Sequence, residues 1–538
     1  MAYSPEINFE SVALPKMLTL SMFVFSILPL IILQKTKDKF PFFNLASGIA
    51  LVYLLTLILV IFTSGSNQSQ QFYGVFGRNF GLLTQICLLI LFLIIVNLNL
   101  YKIVELNFLY YACCIILALS LVFGLVQVFT LDQDYLLTGP SKYTAFFGNS
   151  NFFSSILAIL ITFPLAYLRI SNNKRLLAVN FSLVATAVFM IIKIGDLQGI
   201  FLLLISVFFI LGMKIYATNF YAFIVYSFTI LGSGFIFLFG TFGVGPLGNS
   251  LVQQSNLFRL DYYRSALSVG KANLISGAGI ESFIDTYTQG RNQEAFNRRN
   301  TVLVDSPHNY FIDQFASGGV MLLLLSLVLV LAVLLKIFRS FKNFEISDSL
   351  KMAIILAWLC SFSSLMVNPS NISVHFWFWL LSGAILNRGF TFHDTREPDT
   401  STGIKHLPSK TANKLKLSKF FTYAIAGSIV GFAVVYPEFK ADIQLRQGLD
   451  TGDKKLLTAS AMNSPYQQNR LVLVASVFLD NGLVPEAMTI LETATFKNPD
   501  CLRCWKLRLE QEKDPRMVLK ITSEISRLDP LGNSGRQQ

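Results

Sequence analysis

Apolar residues in this chain come in runs of about 18 or more, and that feature removes most folds from consideration. A helix rises about 1.5 Å per residue, so such a run covers a hydrocarbon core about 30 Å thick. Inside a bilayer the backbone has no water to bond, so only helices and closed barrels span it. A barrel would show short segments of alternating polarity. The expected class is therefore all-α, a polytopic helical membrane protein. Only 14% of the 538 residues are charged, against roughly a quarter in a soluble globular chain.

The pattern predicts about twelve spans, near 17–34, 45–63, 80–98, 107–129, 150–168, 176–194, 198–213, 219–241, 309–336, 352–368, 374–387 and 420–437. The first reads as a span and not as a cleavable signal peptide. Acidic Glu6 and Glu10 precede it, and no small-residue cleavage site follows. Alternate loops are basic: residues 35–39, 169–175, Lys214, 336–342 and 388–419. Lys and Arg in short loops stay cytoplasmic. Both termini and the loop 242–308 are then expected outside. The net charge of +12 sets topology and does not imply nucleic acid. Three regions follow: an extracytoplasmic segment 1–16, a membrane domain 17–437 with the basic cytoplasmic linker 388–419, and an extracytoplasmic tail 438–538.

In the tail, Ala475, Phe478, Gly482, Ala487, Leu491, Ala494 and Pro499 fit a tetratricopeptide repeat. Pro465 precedes Pro499 by 34 residues, and Trp505 falls where a next repeat places its Trp. Two readings stand: a surface that docks a protein partner, or a cap on the last span. Cys87, Cys113, Cys114 and Cys360 lie in apolar runs, where free thiols are common. Cys501 and Cys504 can bridge in an oxidising compartment. Zinc would need two more ligands, and none is near in sequence.

Chemistry points to Asp305-Ser306-Pro307-His308-Asn309-Tyr310, where a polar loop enters an apolar run. Imidazole moves protons near neutral pH, and the chain has only four histidines. His393 and His406 fall in the cytoplasmic linker, leaving His308 and His375. His375 beside Trp377 reads as an interfacial anchor. Other polar groups gather near the outer ends of spans: Lys142, Asn149, Asn151, Lys193, Asp196, Gln198, Arg259, Tyr263, Arg264, Asn309 and Asn368. Polar groups near membrane depth are costly and so are functional or critical to packing. Bland readings compete. Asn149 and Asn151 can cap a helix, Gly277 and Gly279 can be turn glycines, Gly318 and Gly319 can permit close helix packing, and Arg291, Arg298 and Arg299 can be solvated or bind lipid headgroups.

Four segments in order resemble the O-antigen ligase and polymerase superfamily, whose shared region is often called the Wzy_C domain. Lys142 to Asn151 is similar to its basic residue followed by Gly-Asn-Pro-Asn before a span. Arg259-Leu-Asp-Tyr-Tyr263-Arg264 resembles its Arg-x-x-x-Trp-Arg. Gly277-Ala-Gly279 with Phe283, and His308-Asn309 with Gly319, resemble its Gly-x-Gly and His-Asn elements. The likeness covers roughly residues 40–390. Lys142, Ser150 and Tyr263 depart from the family's Arg, Pro and Trp. Leu197-Gln198-Gly199 stands where the family often has Ser-Arg-Gly, with Lys193 as the nearby cation that can replace the missing arginine.

The resemblance implies glycan transfer from a polyprenyl-diphosphate carrier to an acceptor hydroxyl, without metal, cofactor or nucleotide sugar, at the outer face of a bacterial cytoplasmic (inner) membrane. Guanidinium forks suit a diphosphate leaving group. The resemblance assigns this to Arg259, with Arg264 and Lys142 beside it and Tyr263, Asn149 and Asn151 as substrate-binding positions. His308 would accept the acceptor's proton, and Asn309 would orient His308 or a sugar. The acceptor is a lipid-linked core, a protein, or a growing chain, which would make the enzyme a polymerase. Two other classes remain: a lipid-linked glycan transporter and an envelope scaffold.

Overall fold

The computed structural model describes residues 7–34, 44–97, 103–130, 143–168, 173–340, 349–390 and 410–532. Among these residues the chain is helical, with no strand. Eight helices are long and apolar enough to cross a membrane: Leu45–Thr63, Asn107–Thr130, Ser150–Tyr167, Lys174–Ile194, Leu197–Thr218, Phe220–Thr241, Tyr310–Ser340 and Phe421–Thr451. The other four expected spans coincide with shorter apolar helices, Ala13–Pro29, Leu82–Asn97, Ser349–Leu365 and Ile372–Leu386. The chain is a helical membrane protein. Lys142 and much of the basic loops, including 35–39 and 391–409, lie outside the described residues.

The peripheral helices bury one stripe and expose another, while Leu82–Asn97, Ser349–Leu365 and Ile372–Leu386 have no exposed residue. Phe220–Thr241 lies at one extreme, exposing Phe228, Phe235 and Phe239 with little of its length covered. At the centre, Ile372–Leu386 packs against Leu82–Asn97 and Ser349–Leu365. There the Trp358 indole N–H donates to the Ser382 hydroxyl at 2.8 Å. The helix Ala13–Gln34 packs closely on the helix Lys410–Thr451 along Gly427 and Gly431. A Cβ on Gly427 would strike the Phe25 carbonyl, and one on Gly431 would come within 2.6 Å of the Ser21 carbonyl. Small residues four apart let two backbones approach in this way.

The helix Tyr310–Ser340 is broken at Gly318 and Gly319, where Gly319 takes φ 66°. The break frees carbonyls, and the 274–279 segment satisfies them. Ala278 N donates to Ala316 O at 2.8 Å and Gly279 N to Ser317 O at 3.0 Å. In return Val320 N donates to Leu274 O at 2.9 Å. A Cβ on Gly277 would collide with the Ser317 carbonyl, and one on Gly319 with the Leu274 carbonyl. These glycines form a lock between the loop and the helix.

Five helices follow the last membrane helix: Lys454–Met462, Gln468–Asp480, Val484–Lys497, Leu502–Gln511 and Pro515–Leu528. Ala475, Phe478, Ala487, Leu491 and Ala494 share one core. Cys501 and Cys504 are disulfide-bonded. This tail is stitched to the rest of the molecule. Phe76 packs on its core. Arg470 and Glu438, both fully buried, pair at 2.9 Å. Arg291 reaches Asp529 at 2.6 Å, and the Thr288 hydroxyl donates to Leu528 O at 2.7 Å. At the other end of the chain, Asn8 Nδ2 donates to Asp442 at 3.1 Å.

Candidate functional site

A cleft of about 470 Å³ opens where four parts of the chain meet. Asn149 and Asn151 come from the start of Ser150–Leu160, Arg259 from Gln254–Ala272, His308 from the loop before Tyr310, and Asn368 from the turn before Ile372. His308 and Arg259, 49 positions apart in sequence, share this cleft.

His308 sits at φ 61°, in the left-handed region that histidine enters more readily than bulky residues do. Its Nδ1 lies 2.7 Å from the Ser306 carbonyl. A carbonyl only accepts, so Nδ1 carries the proton and Nε2 keeps its lone pair. Burial holds the imidazole below the ordinary histidine value of 6.5, opposed by the Ser306 bond and Asp305 and assisted by Arg259 and Arg78. The ring is therefore neutral at pH 7. It also packs against Tyr262, centroid to centroid 5.5 Å.

Arg259 bonds the Asn256 side chain at 3.0 Å and has no carboxylate partner among the described residues. Its charge is open to a ligand anion. Arg299 is the second cation of the cleft. Its guanidinium lies 4.0 Å over the Phe258 ring and donates to the Tyr262 hydroxyl at 3.1 Å. No carboxylate stands among the cleft's lining residues. A neutral imidazole, two guanidiniums, amides and aromatic faces suit an anionic, hydroxyl-bearing ligand.

The other expected residues fall differently. Arg264 is exposed and pairs with Glu294 at 2.8 Å. Five helical positions after Arg259, it is turned about 140° away. Tyr263 is half-buried outside the cleft, and its neighbour Tyr262 lines it. Asn309 caps the following helix, accepting from Ile312 N at 3.2 Å, while its Nδ2 donates to Met366 O at 3.1 Å. It holds the loop and does not line the cleft. Asn149 both caps its helix, accepting from Asn151 N at 2.8 Å, and lines the cleft. Lys193 is exposed and lies outside the cleft lining.

Gln198 connects to the cleft by a polar chain instead. Its Nε2 donates to Ser155 and Ser364 hydroxyls at 2.9 and 3.0 Å, and Asn368 Nδ2 donates to Ser364 at 2.9 Å. His375 is no interfacial anchor. It is buried at 1% exposure, with Nδ1 on the Asn371 carbonyl at 3.0 Å and Phe80 at 4.2 Å. Arg291 and Arg298 are committed to carboxylates, Asp529 and Asp261.

Sequence reasoning missed Arg78. From the loop before Leu82–Asn97 it donates to Glu281 at 3.0 Å and to the Asp305 carbonyl at 2.7 Å. It thereby ties the glycine-lock loop to the His308 loop. Burial works against its charge, yet Asp305 and Glu281 hold its pKa above the ordinary arginine value. Burial pushes Glu281 up to about 7, against the pull of Arg78. Among the described residues, Asn79, Ala145, Glu281 and His308 are the non-glycine residues with positive φ, and all four lie in loops. Backbone strain of about 1–3 kcal/mol per residue gathers where a site is over-determined by its surroundings. The signal for Arg78 was a lone Arg-Asn pair just before an apolar run.

No family model matches this chain, and no curated protein matches it.

Proposed function

We propose that the chain is a membrane glycan transferase of the O-antigen ligase and polymerase type, with twelve spans and a tetratricopeptide-like tail. The cleft faces the outside of a bacterial cytoplasmic (inner) membrane, as the basic loops imply. The donor is a glycan on a polyprenyl diphosphate, and the acceptor is a hydroxyl of a lipid-linked sugar, a protein or a growing chain. One observation carries the reading: His308 and Arg259, which among the described residues have no partner on Nε2 and no carboxylate partner respectively, share one cleft.

Nε2 of His308 takes the proton from the acceptor hydroxyl as its oxygen attacks the anomeric carbon. The bond from that carbon to the diphosphate oxygen breaks, and the diphosphate leaves with the electron pair. Arg259 and Arg299 neutralise the charge that develops on it. Asn149, Asn151 and Asn368 offer amides to sugar hydroxyls, and Tyr262 an aromatic face to a sugar ring. Arg264, Tyr263 and Asn309 support the surroundings and lie outside the chemistry.

The test is transfer by purified protein supplied with a polyprenyl-diphosphate glycan and candidate acceptors. Loss of turnover in both His308→Ala and Arg259→Ala, with folding intact, is expected. Wild-type turnover in both variants overturns the assignment.

A further inference from the structure

A second pocket, about 290 Å³, begins one residue beyond Arg299. Its walls come from distant parts of the sequence. Asn300 and Thr301 belong to the long loop, and Arg503, Lys506 and Asp529 to the tail. Its size is at the lower end for a small-ligand site, near 300 Å³, and suits a single ring. Leu303 and Leu502 add a small apolar patch to otherwise polar walls, too little to hold an acyl chain.

The charge of Asp529 is already answered. Its Oδ1 takes Arg291 at 2.6 Å and Gly532 N at 3.2 Å, and its Oδ2 takes Lys506 at 3.3 Å. Arg291 is fully buried behind this wall and also donates to the Asn300 carbonyl at 3.0 Å. Arg503 is exposed, with no carboxylate partner among the described residues. Arg503 and Lys506 line the pocket with one carboxylate, Asp529, which the buried Arg291 behind it also answers, so the pocket carries excess positive charge beside hydroxyl and amide groups. That chemistry fits a polyol bearing an anionic group.

We propose that this pocket is a carbohydrate subsite for an acidic sugar unit, carboxylate- or phosphate-bearing, of the glycan handled at the neighbouring cleft. Arg299 lines the cleft and Asn300 the pocket, so the two sites meet along the chain at one backbone step of about 3.8 Å. The subsite exists only while tail and loop are docked, which gives the buried Arg291–Asp529 pair a functional consequence. It rests on the transferase reading for the source of the glycan but not for the binding.

Isothermal titration of the purified full chain in detergent tests it. The probes are hyaluronan hexasaccharide, which carries carboxylates, mannose 6-phosphate, and neutral maltohexaose. At least one acidic probe binds, and maltohexaose binds roughly tenfold or more weakly. Substituting both exposed cations, Arg503→Gln with Lys506→Gln, weakens the acidic probe by roughly tenfold or more, and Lys520→Gln, at an exposed cation outside both linings, does not. Which acidic probe binds distinguishes carboxylate from phosphate. Equal binding of maltohexaose, no binding of either acidic probe at about 1 mM, wild-type affinity in the double variant, or an equal loss of binding in Lys520→Gln overturns the subsite. If the double variant loses the probe while the wild-type chain transfers no glycan from a polyprenyl diphosphate, the subsite stands and the transferase reading falls.

Discussion

His308 has one nitrogen to offer, because Nδ1 is held by the Ser306 carbonyl at 2.7 Å. Removing Nε2 in His308→Ala should lower kcat by roughly 10²–10⁴-fold, measured as glycan transfer at saturating donor. The pH profile is a second check. Burial keeps the imidazole below 6.5, so the base is unprotonated at neutral pH. The acid limb of kcat/KM should fall below pH 6.5, and a limb above pH 7 would contradict the assignment. His308, Asn149 and Asn151 were legible in sequence because polar groups at the ends of apolar runs are scarce, and Arg259 only through the motif-like run from Arg259 to Arg264 in the polar loop. Arg78 and Arg299 were not. Arg78 acts through partners 203 and 227 positions away, and nothing local marks such pairing. Tyr262 and Tyr263 were confused for a related reason: when adjacent helix positions carry the same side chain, composition does not give the phase.

Helices were the most legible elements, because about 18 apolar residues in a row have few alternatives. The glycines were visible too, but their partners were not. Gly277 and Gly319 read as a turn and a packing position, whereas the fold sets them against opposite sides of one junction. Gly319→Ala meets both a positive φ and the Leu274 carbonyl. It should cost more than the roughly 1–2 kcal/mol of left-handed strain alone, read as a drop in melting temperature. Gly318→Ala tests the same break without a positive φ, although Leu322 must shift to admit it. At the other seam, Gly431→Leu should separate the first and last membrane helices. The expected readout is faster proteolysis of the Asn8–Asp442 region, since that hydrogen bond depends on their packing. Wild-type resistance in Gly431→Leu would mean that the two helices tolerate a wider spacing.

Across the whole molecule, the tail and the long loop behave as one body. From sequence the tail was either a docking surface or a cap. The structure joins it to the last membrane helix through Arg470–Glu438 and to the loop through contacts some 240 positions apart, which no local pattern reveals. Arg291→Leu strands Asp529 at 2% exposure beside Lys506. Breaking one partner of a buried pair costs about 3–5 kcal/mol, which denaturant unfolding followed at Trp505 would detect. Asp285 gives the same junction a pH dependence. Burial raises its carboxyl to about 7, although Asn498 and Gln70 bond its Oδ2. The folded state then holds a proton that the unfolded state releases near 4. Stability should fall as pH rises from about 4 to about 7 and then level off. Asp285→Asn should reduce that slope, leaving the part due to Glu281, which burial also raises to about 7, and an unchanged slope would place the titration elsewhere.

The most direct measurement is a cryo-EM map of the His308→Ala protein with a polyprenyl-diphosphate glycan bound. The diphosphate should lie within hydrogen-bond distance of Arg259, with its first sugar toward residue 308 and its lipid tail leaving sideways between helices. Diphosphate density away from Arg259, or midway through the helices and open to both sides, would contradict the proposed site and favour a transporter.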